Sequence, residues 1–347
     1  MKKSKRSDVD PFIVMDVMEA ARIAEENGKH IIHMEVGQPG TPAPKIARDF
    51  ITNEINKNNL GYTVSLGLPD LRKKISNLYG EWYNIEVNPK RVVVTTGSSG
   101  AFILSFSALF DSGDRVGIGS PSYPSYRQIL KSLSLETVDI QTKLENRFQP
   151  TPNDIKSNNL NGILVASPAN PTGSMLDKNS LENLINTSKE NNVSFISDEI
   201  YHGIEYEKKA VTALEISDEC YVEFTWDSDP KSILQESKKG VIAVHSLSKR
   251  SNLAGMRVGF YAGDEEIVGY LREVRKHQGF MLPGPAQMAG IAALSDQTHV
   301  EIQKKLYFER LSKLIEIFRS LGIQAVMPKG SFYLWIETPD VDEWGLV

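Results

Sequence analysis

One segment, residues 241–259, constrains the fold of this 347-residue chain more than any other part of its sequence. Residues 241–244 form a short apolar run, which predicts a buried strand. The pattern S-x-S-K-x(5)-G-x-R-x-G follows at residues 246–259 and contains Ser246, Lys249 and Arg257. Because open α/β sheets bind ligands just beyond the carboxyl ends of their strands, this segment predicts an α/β fold with a ligand site around Lys249.

The residue types in this pattern indicate a particular chemistry. A lysine amine attacks a carbonyl when it is deprotonated, and burial or a neighbouring cation lowers its pKa. Hydroxyl groups and an arginine fork suit a phosphate. Pyridoxal phosphate carries both an aldehyde and a phosphate, so this cofactor would use Lys249, Ser246 and Arg257 together. A solvated surface lysine is the alternative, but the complete pattern after a strand favours the cofactor.

Composition argues against several other classes of protein. The net charge of −5 gives no electrostatic reason to expect nucleic acid or an anionic membrane as a partner. The single cysteine, Cys220, rules out an intrachain disulfide framework, and the six histidines lack metal-binding spacing, so no metal is expected. No run reaches the ~18 apolar residues of a membrane span, and the basic start is not a secretory signal. A cytoplasmic enzyme is therefore expected, and the lack of G-x-G-x-x-G after a strand disfavours a dinucleotide-binding oxidoreductase.

Further motifs follow other predicted strands. They are Gly97-Ser98-Ser99-Gly100 after residues 92–96, Ser120-Pro121-Ser122-Tyr123 after 116–119, Asn170-Pro171-Thr172-Gly173 after 163–166, and Asp198-Glu199-Ile200-Tyr201 after 193–197. With the lysine pattern they resemble the pyridoxal-phosphate-dependent aminotransferases of fold type I, class I/II, over nearly the whole chain. The resemblance implies a three-layer α/β/α large domain with a mostly parallel sheet, residues 48–297. A small, apparently truncated α/β domain would comprise residues 1–47 and 298–347.

The resemblance also implies roles for individual residues. Lys249 would hold the cofactor aldehyde as a Schiff base and move the substrate α-proton, Asp198 would keep the pyridine nitrogen protonated, and Tyr201 would hydrogen-bond the ring oxygen. Gly37 and Asn170 would bind substrate. Further cofactor contacts are implied for Ser98 and Ser99 at a helix N-terminus, for Tyr123 stacked on the ring, and for Asn170, Ser246, Arg257 and Tyr62. The Tyr62 hydroxyl would reach the cofactor phosphate of the other subunit of a homodimer.

Several of these residues have ordinary structural alternatives when they are considered singly. Ser98 and Ser99 could be simple helix caps, and Tyr123 a core tyrosine. Gly37 and Tyr62 could be ordinary loop residues. The Ser120–Pro121 and Asn170–Pro171 bonds are candidates for the cis form.

The Asp-Glu-x-Tyr motif occurs twice, at residues 198–201 and 218–221. Asp218 precedes Lys249 by 31 residues (249 − 218), which fits the family better than the 51 of Asp198 (249 − 198). Asp198 follows Asn170 by 28 residues (198 − 170), which fits better than the 48 of Asp218 (218 − 170). Because residues 193–196 are more apolar than residues 212–216, we expect Asp198 to meet the ring and the surplus residues to form a loop.

The expected reaction is amino-group transfer between an L-amino acid and a 2-oxo acid. Residues up to about 217 resemble aspartate- or aromatic-type aminotransferases, and later residues resemble succinyldiaminopimelate aminotransferases. A β-elimination lyase on the same fold is one alternative, because a fold does not determine its reaction. A truncated protein that binds the cofactor without turnover is another, since no residue matches the family's arginine for the substrate α-carboxylate.

The two ends of the chain contain further helix and strand patterns. Pro11 and the apolar spacing predict a helix over residues 11–27. Strands are predicted at residues 31–36, 323–327 and 331–336. Residues 298–301 predict a capping box at the start of a long helix that Gly322 ends.

Overall fold

The computed structural model describes residues 4–57, 60–214 and 241–336. In these residues seven strands form one sheet in the order β1-β7-β6-β5-β4-β2-β3. The strands are β1 Val92–Thr96, β2 Arg115–Ser120, β3 Glu136–Gln141, β4 Gly162–Ala166, β5 Ser194–Asp198, β6 Val241–Ser246 and β7 Val258–Gly263. Strands β2 to β6 pair in parallel, whereas β7 runs antiparallel to both of its neighbours. The predicted mostly parallel sheet is confirmed.

Helices cover both faces of this sheet. In the described part of the chain they are α1 Ile13–Glu26, α2 Lys45–Ile55, α3 Pro69–Tyr83, α4 Gly97–Leu109, α5 Ser125–Ser132, α6 Pro152–Ser157, α7 Lys178–Glu190, α8 Leu247–Arg250, α9 Glu265–Gln278, α10 Gly284–Leu294 and α11 Thr298–Ser320. None of those helices is both long enough and apolar enough to cross a membrane.

The alternation of side chains along the strands produces two buried layers. In β1, Val92 and Val94 belong to one apolar cluster and Val93 to the other. Phe195 and Ile196 of β5 divide in the same way. Helices α2, α3, α7 and α10 contribute to the first cluster, and α4, α5 and α9 to the second. Strands buried on both faces between helices give the predicted three-layer α/β/α architecture.

Strand β6 lies inside the sheet and leads to the lysine motif. Its apolar residues 241–244 are all at most 1% exposed. Burial of each valine or isoleucine side chain stabilises the fold by about 1.5–3 kcal/mol relative to an exposed side chain. Parallel pairing sets Asp198 at the end of β5 beside Val244 of β6. The polar residues that follow the two strands therefore emerge at the same edge of the sheet.

The antiparallel direction of β7 brings one more group to that edge. Ser246 at the end of β6 pairs with Gly259, and Thr96 at the end of β1 pairs with Val258. Strand β7 thus begins where β1 and β6 end. Arg257, the residue before β7, consequently lies next to the residues that follow β1 and β6.

Three strands predicted outside the sheet are wrong. Residues 31–36, 323–327 and 331–336 form no strand in the structure, and an isolated bridge joins Glu205 to Gly330. Ser331 donates its backbone N–H to the Ile204 carbonyl oxygen at 2.9 Å. Near Tyr307 of α11, the rings of Phe332 and Tyr333 pack against a small buried cluster rather than on a neighbouring strand. The apolar pattern there reflects this packing and not sheet pairing.

The observed bounds of α1 and α11 can be compared with the predicted ones. The capping box at residues 298–301 is wrong, because Thr298 is already helical and its N–H donates to Asp296 Oδ1 at 2.9 Å. The predicted end near Gly322 is confirmed, and this glycine has a φ of +81° that few other residues adopt readily. The helix predicted over residues 11–27 is confirmed as α1.

Candidate active site

A cleft of about 440 Å³ lies beyond the carboxyl ends of the parallel strands. Its lining comes from residues at or after the ends of β1, β2, β4, β5 and β6, from residues just before β7, from residues 12–18 and 35–38, and from Tyr333. Nine residues that the sequence predicted for the site line this one cleft: Gly37, Ser98, Ser99, Tyr123, Asn170, Tyr201, Ser246, Lys249 and Arg257. Residues that are up to 220 positions apart in the chain (257 − 37) therefore meet around a common space.

Lys249 extends into the cleft from the short helix α8, which follows β6 directly. Its Nζ donates a hydrogen bond to the carbonyl oxygen of Gly37 and lies 5.8 Å from the centre of the Phe332 ring. Burial, and next the positive charge of Arg257, lower the pKa of Lys249 from 10.5 to about 8. A substantial fraction of this amine is therefore neutral near pH 8, as attack on a carbonyl requires.

A set of anion-binding groups lies beside the lysine. Ser98 and Ser99 are in the first turn of α4, where backbone N–H groups lack intrahelical partners and the helix dipole is positive. Gly97 begins this helix with a φ of +72°, and a Cβ atom here would overlap the guanidinium of Arg257. Ser246 adds a hydroxyl, which donates to Ser248 Oγ at 2.9 Å.

The simple-cap alternative for the two serines does not fit this geometry. Thr96 is the N-cap residue of α4 and makes no side-chain cap bond, while Ser98 and Ser99 lie within the helix. Two hydroxyls, helical N–H groups and a guanidinium face one corner of the cleft, which suits a phosphate.

Asp198 lies at the end of β5 and is only 2% exposed. Its Oδ2 accepts a hydrogen bond from the Tyr126 hydroxyl, and its Oδ1 accepts one from the Ile200 N–H at 3.1 Å. Burial raises the pKa of Asp198 to about 6, although both hydrogen bonds act to lower it. A cationic partner within reach would favour the carboxylate form further.

Tyr126 belongs to the cleft lining, and the sequence analysis missed it. It lies in the first turn of α5, whereas Tyr123 precedes that helix. Its link to the site is a hydrogen bond to Asp198, 72 positions away, which no local sequence pattern reports.

Three further side chains of the cleft lining lie close together. The Tyr201 hydroxyl donates to the Tyr333 hydroxyl at 3.1 Å, and Asn170 Nδ2 lies 3.4 Å from each of these hydroxyls. Burial raises the pKa of Tyr201 and of Tyr333, so both phenols remain protonated donors at neutral pH. The Asn170–Pro171 peptide bond is cis, as is Ser120–Pro121, in agreement with the sequence.

Tyr333 is the second residue that the sequence analysis missed, because its segment was assigned to a strand. It also explains why residue 37 is a glycine. A Cβ atom at Gly37 would overlap the Tyr333 hydroxyl. The absence of a side chain therefore lets the loop backbone, the Lys249 amine and the Tyr333 phenol approach each other closely.

Two predicted residues do not line the cleft. Asp198 contacts it through Tyr126, whereas Tyr62 is fully exposed on the surface, with a relative accessibility of 103%. Asp218 and Tyr221, the second copy of the Asp-Glu-x-Tyr motif, lie outside the described residues. Within the described part of the chain, Asp198 and Tyr201 are the copy associated with the cleft.

The residues present fit the parts of pyridoxal phosphate. Lys249 supplies an amine for its aldehyde, and the corner around Arg257 supplies donors for its phosphate. Asp198 supplies a buried acidic group for a protonated ring nitrogen. Asn170 and Tyr201 supply donors for a ring oxygen. Each group that the cofactor needs is thus matched by a side chain of suitable chemistry.

Comparison with known proteins gives a consistent family match. The family model for aminotransferase class I and II matches residues 29–344. The valine–pyruvate aminotransferase of Mycobacterium tuberculosis is 33% identical over 340 residues, which are 96% of this chain and 83% of that protein. The aspartate aminotransferase of Thermotoga maritima is 27% identical over 336 residues, 95% of this chain and 83% of that protein.

Solved structures agree with these relatives. A provisionally assigned aminotransferase from Silicibacter pomeroyi is 45% identical with a TM-score of 0.85, over 99% of this chain and 85% of that one. An aminotransferase from Mycobacterium tuberculosis is 32% identical with a TM-score of 0.87, over 99% of this chain and 85% of that one. The fold and the sequence therefore point to the same group of proteins.

Proposed function

The chain belongs to the class I and II aminotransferases, and on that premise we propose how its own residues carry out the family's reaction. It is a pyridoxal-phosphate-dependent enzyme that transfers an amino group between an amino acid and a 2-oxo acid. By their names, the relatives act on valine and pyruvate or on aspartate, so the match leaves open the side chain of the amino acid. The β-elimination alternative is not favoured by relatives that are aminotransferases.

The main support for these residue roles is that nine predicted residues line one cleft. When bound, pyridoxal phosphate supplies a carbon that accepts the amino group and a ring that withdraws electrons. Arg257 would hold its phosphate together with three hydroxyls, those of Ser98, Ser99 and Ser246. Tyr123 would contact the face of the ring.

Lys249 is proposed as the catalytic base and acid. Its Nζ would bind the cofactor aldehyde in the resting enzyme and be released when an amino acid takes its position. The free amine then removes the proton from the substrate Cα and later returns a proton. The hydrogen bond from Lys249 Nζ to the Gly37 carbonyl oxygen supports this role, because it holds the amine beside the loop that is proposed to bind the substrate.

Asp198 is proposed to keep the ring nitrogen protonated. Its burial strengthens the interaction with a cation, since few water molecules screen the pair. Tyr126 would hold the carboxylate in one orientation through its hydrogen bond. Tyr201 and Asn170 would donate to the ring oxygen. The Tyr201–Tyr333 bond would then reverse, so that the Tyr333 hydroxyl donates to the Tyr201 oxygen and positions it.

Substrate binding is proposed at Gly37 and Asn170. The lack of a side chain at Gly37 leaves its backbone close to the Tyr333 hydroxyl, and Asn170 Nδ2 offers a donor 3.4 Å from that hydroxyl. These two groups of the same cleft would orient the α-carboxylate while Lys249 acts on Cα.

A homodimer with shared active sites is proposed from the position of Tyr62. A fully exposed tyrosine is unusual, and Leu60 and Val64 beside it are also exposed, at 59% and 55%. A second copy that covered this segment would bury apolar surface and bring the Tyr62 hydroxyl to the neighbouring cleft. The division into a large domain of residues 48–297 and a small domain from the remainder is likewise proposed.

Addition of single L-amino acids to the purified holoenzyme tests the function. The visible absorbance of the lysine-bound cofactor should shift, one 2-oxo acid should form per site, and a second 2-oxo acid should restore the original absorbance. Release of ammonia in place of this reversible transfer would support a lyase. A spectrum that responds to no amino acid would contradict the proposal.

A further inference from the structure

The cleft has a wall that the cofactor roles leave unused. It is formed by the N-terminal segment and by residues 35–36, and its apolar members are Phe12, Val14, Met15, Met18 and Val36. Phe12, Val14, Met18 and Val36 are half-buried, and Met15 is 45% exposed. This apolar wall faces the same space as Lys249, so it is available to the side chain of a bound substrate.

The charges around the cleft are unequally distributed. Among the described residues that line it, the cations are Lys249 and Arg257, and both are assigned to the cofactor. The one carboxylate in that lining is Glu35, whose side chain is only 10% exposed. No cation in this lining is left to pair with an acidic group on a substrate side chain.

Glu35 is held in its ionised form by a neighbour. His33 Nδ1 lies 2.8 Å from Glu35 Oε1, and His33 Nε2 lies 3.0 Å from Glu25 Oε1. The hydrogen bond from His33 keeps the pKa of Glu35 below its ordinary value. Glu35 therefore remains a carboxylate at neutral pH and places a negative charge in the cleft lining. A basic side chain would be attracted to Glu35 but would lose solvation against the apolar wall, which disfavours its binding.

We propose that this cleft selects amino acids with apolar side chains and that Glu35 is the residue that excludes acidic ones. The inference rests on the proposed function. An apolar side chain would be removed from water against Met18 and Val36, which favours its binding. A second carboxylate of aspartate or glutamate would lose solvation at the same wall and meet the like charge of Glu35.

Steady-state kinetics with pyruvate as acceptor test the proposal. In the wild-type enzyme, kcat/KM for L-valine, L-leucine or L-methionine should exceed that for L-aspartate by at least about tenfold. Glu35→Gln keeps a hydrogen-bonding group for His33 but removes the charge. It should raise kcat/KM for L-aspartate by about tenfold and change that for L-valine by less than about twofold.

Glu25→Gln is the matched control, because Glu25 binds the other nitrogen of His33, is 46% exposed and is not part of the cleft lining. This variant should leave the ratio of valine to aspartate unchanged. An equal effect of the two variants would overturn the assignment to Glu35.

Binding of unreactive acids gives a readout that does not depend on turnover. By calorimetry, the wild-type holoenzyme should bind 3-methylbutanoate at least about tenfold more tightly than succinate. Glu35→Gln should reduce this ratio of the two Kd values. Equal or tighter binding of succinate by the wild-type enzyme would overturn the inference.

The possible results distinguish a failure of the proposed selectivity from a failure of the proposed aminotransferase function. If L-aspartate or L-ornithine reacts faster than every apolar amino acid, the aminotransferase roles stand and the selectivity is wrong. If no amino acid shifts the cofactor absorbance, the proposed roles themselves fail.

Discussion

Lys249 and Arg257 are two cations at one cleft, and their proximity has a chemical use. The positive charge of Arg257 adds to burial in lowering the pKa of Lys249 to about 8. Arg257 immediately precedes β7 and lies against Gly97, where it can also bind a phosphate. The same arginine can therefore hold the cofactor and keep more of the lysine in its reactive neutral form.

The first prediction concerns the pH dependence of cofactor attachment. Because the protonated amine does not attack, attachment of pyridoxal phosphate to the apoprotein should slow by about tenfold per pH unit below pH 8 and level off above it. Stopped-flow absorbance between pH 6 and pH 10 measures this rate. An inflection near the ordinary lysine value of 10.5 would contradict it, and Lys249→Ala serves as the background for other lysines.

The second prediction concerns Tyr126, whose hydroxyl donates to Asp198. Tyr126→Phe removes a bond that lowers the pKa of Asp198, so less of the carboxylate is ionised at neutral pH. A hydrogen bond to a charged group contributes about 1.5–3 kcal/mol, so the Kd for pyridoxal phosphate should rise at least about tenfold. Tyr123→Phe is the control, since it keeps its ring and leaves the bond to Asp198 intact. Equal Kd values for the two variants would argue against the role of Asp198.

Strand-to-helix junctions explain why much of the site could be predicted from the sequence. The apolar runs of β1, β4, β5 and β6 have the length of buried strands, and parallel strands deliver the residues after them to one edge. Ser98, Asn170, Tyr201 and Lys249 each follow such a run, so the strand pattern predicts that they meet at one sheet edge, while the choice of Asn170 and Tyr201 came from the family resemblance.

The residues that were missed depend on contacts distant in the sequence. Tyr126 and Asp198 are 72 positions apart, and Tyr201 and Tyr333 are 132 apart. No local periodicity reports such pairs. The antiparallel direction of β7 could not be predicted either, because residues 258–263 are buried on both faces and carry no alternation that indicates direction. The wrong strand at residues 331–336 has the same origin, since its apolar side chains pack without sheet pairing.

The third prediction tests the junction between β1 and α4. Gly97→Ala forces a side chain into a φ of +72° and against the Arg257 guanidinium. Gly113→Ala introduces the same type of strain at a φ of +96°, with nothing within 4 Å of its Cβ. Both variants should lose about 1–2 kcal/mol in free energy of unfolding, but only Gly97→Ala should also weaken cofactor binding. Denaturant unfolding and absorbance titration measure the two effects, and unchanged cofactor affinity in Gly97→Ala would contradict the phosphate assignment.

In the whole molecule, one large sheet carries most of the site, while the wall for the substrate side chain comes from the N-terminal segment. Helix α1 has no buried residue, and Ile13, Val17 and Ile23 on it are 45–65% exposed. Tyr62 is fully exposed as well, so the described chain leaves several apolar groups uncovered. A second copy of the chain would account for this exposure.

The fourth prediction tests shared active sites by subunit mixing. Tyr62→Ala and Lys249→Ala should each have low activity alone. In a mixed dimer, one cleft would contain Lys249 from the first variant and Tyr62 from the second. After unfolding and refolding together, an equal mixture should therefore recover about a quarter of wild-type activity. Activity equal to the mean of the two separate variants would contradict shared sites, and sedimentation of the mixture verifies the dimer.

The assignment of Lys249 underlies every other role, and one chemical measurement tests it most directly. Borohydride reduction of the holoenzyme fixes the bond between the cofactor and its lysine, and mass spectrometry of the digested protein locates the added mass. The structure predicts one cofactor per chain on the peptide that contains Lys249, and no label on that peptide if an amino acid is added before reduction. Label on a different lysine, or no label under any condition, would contradict the account.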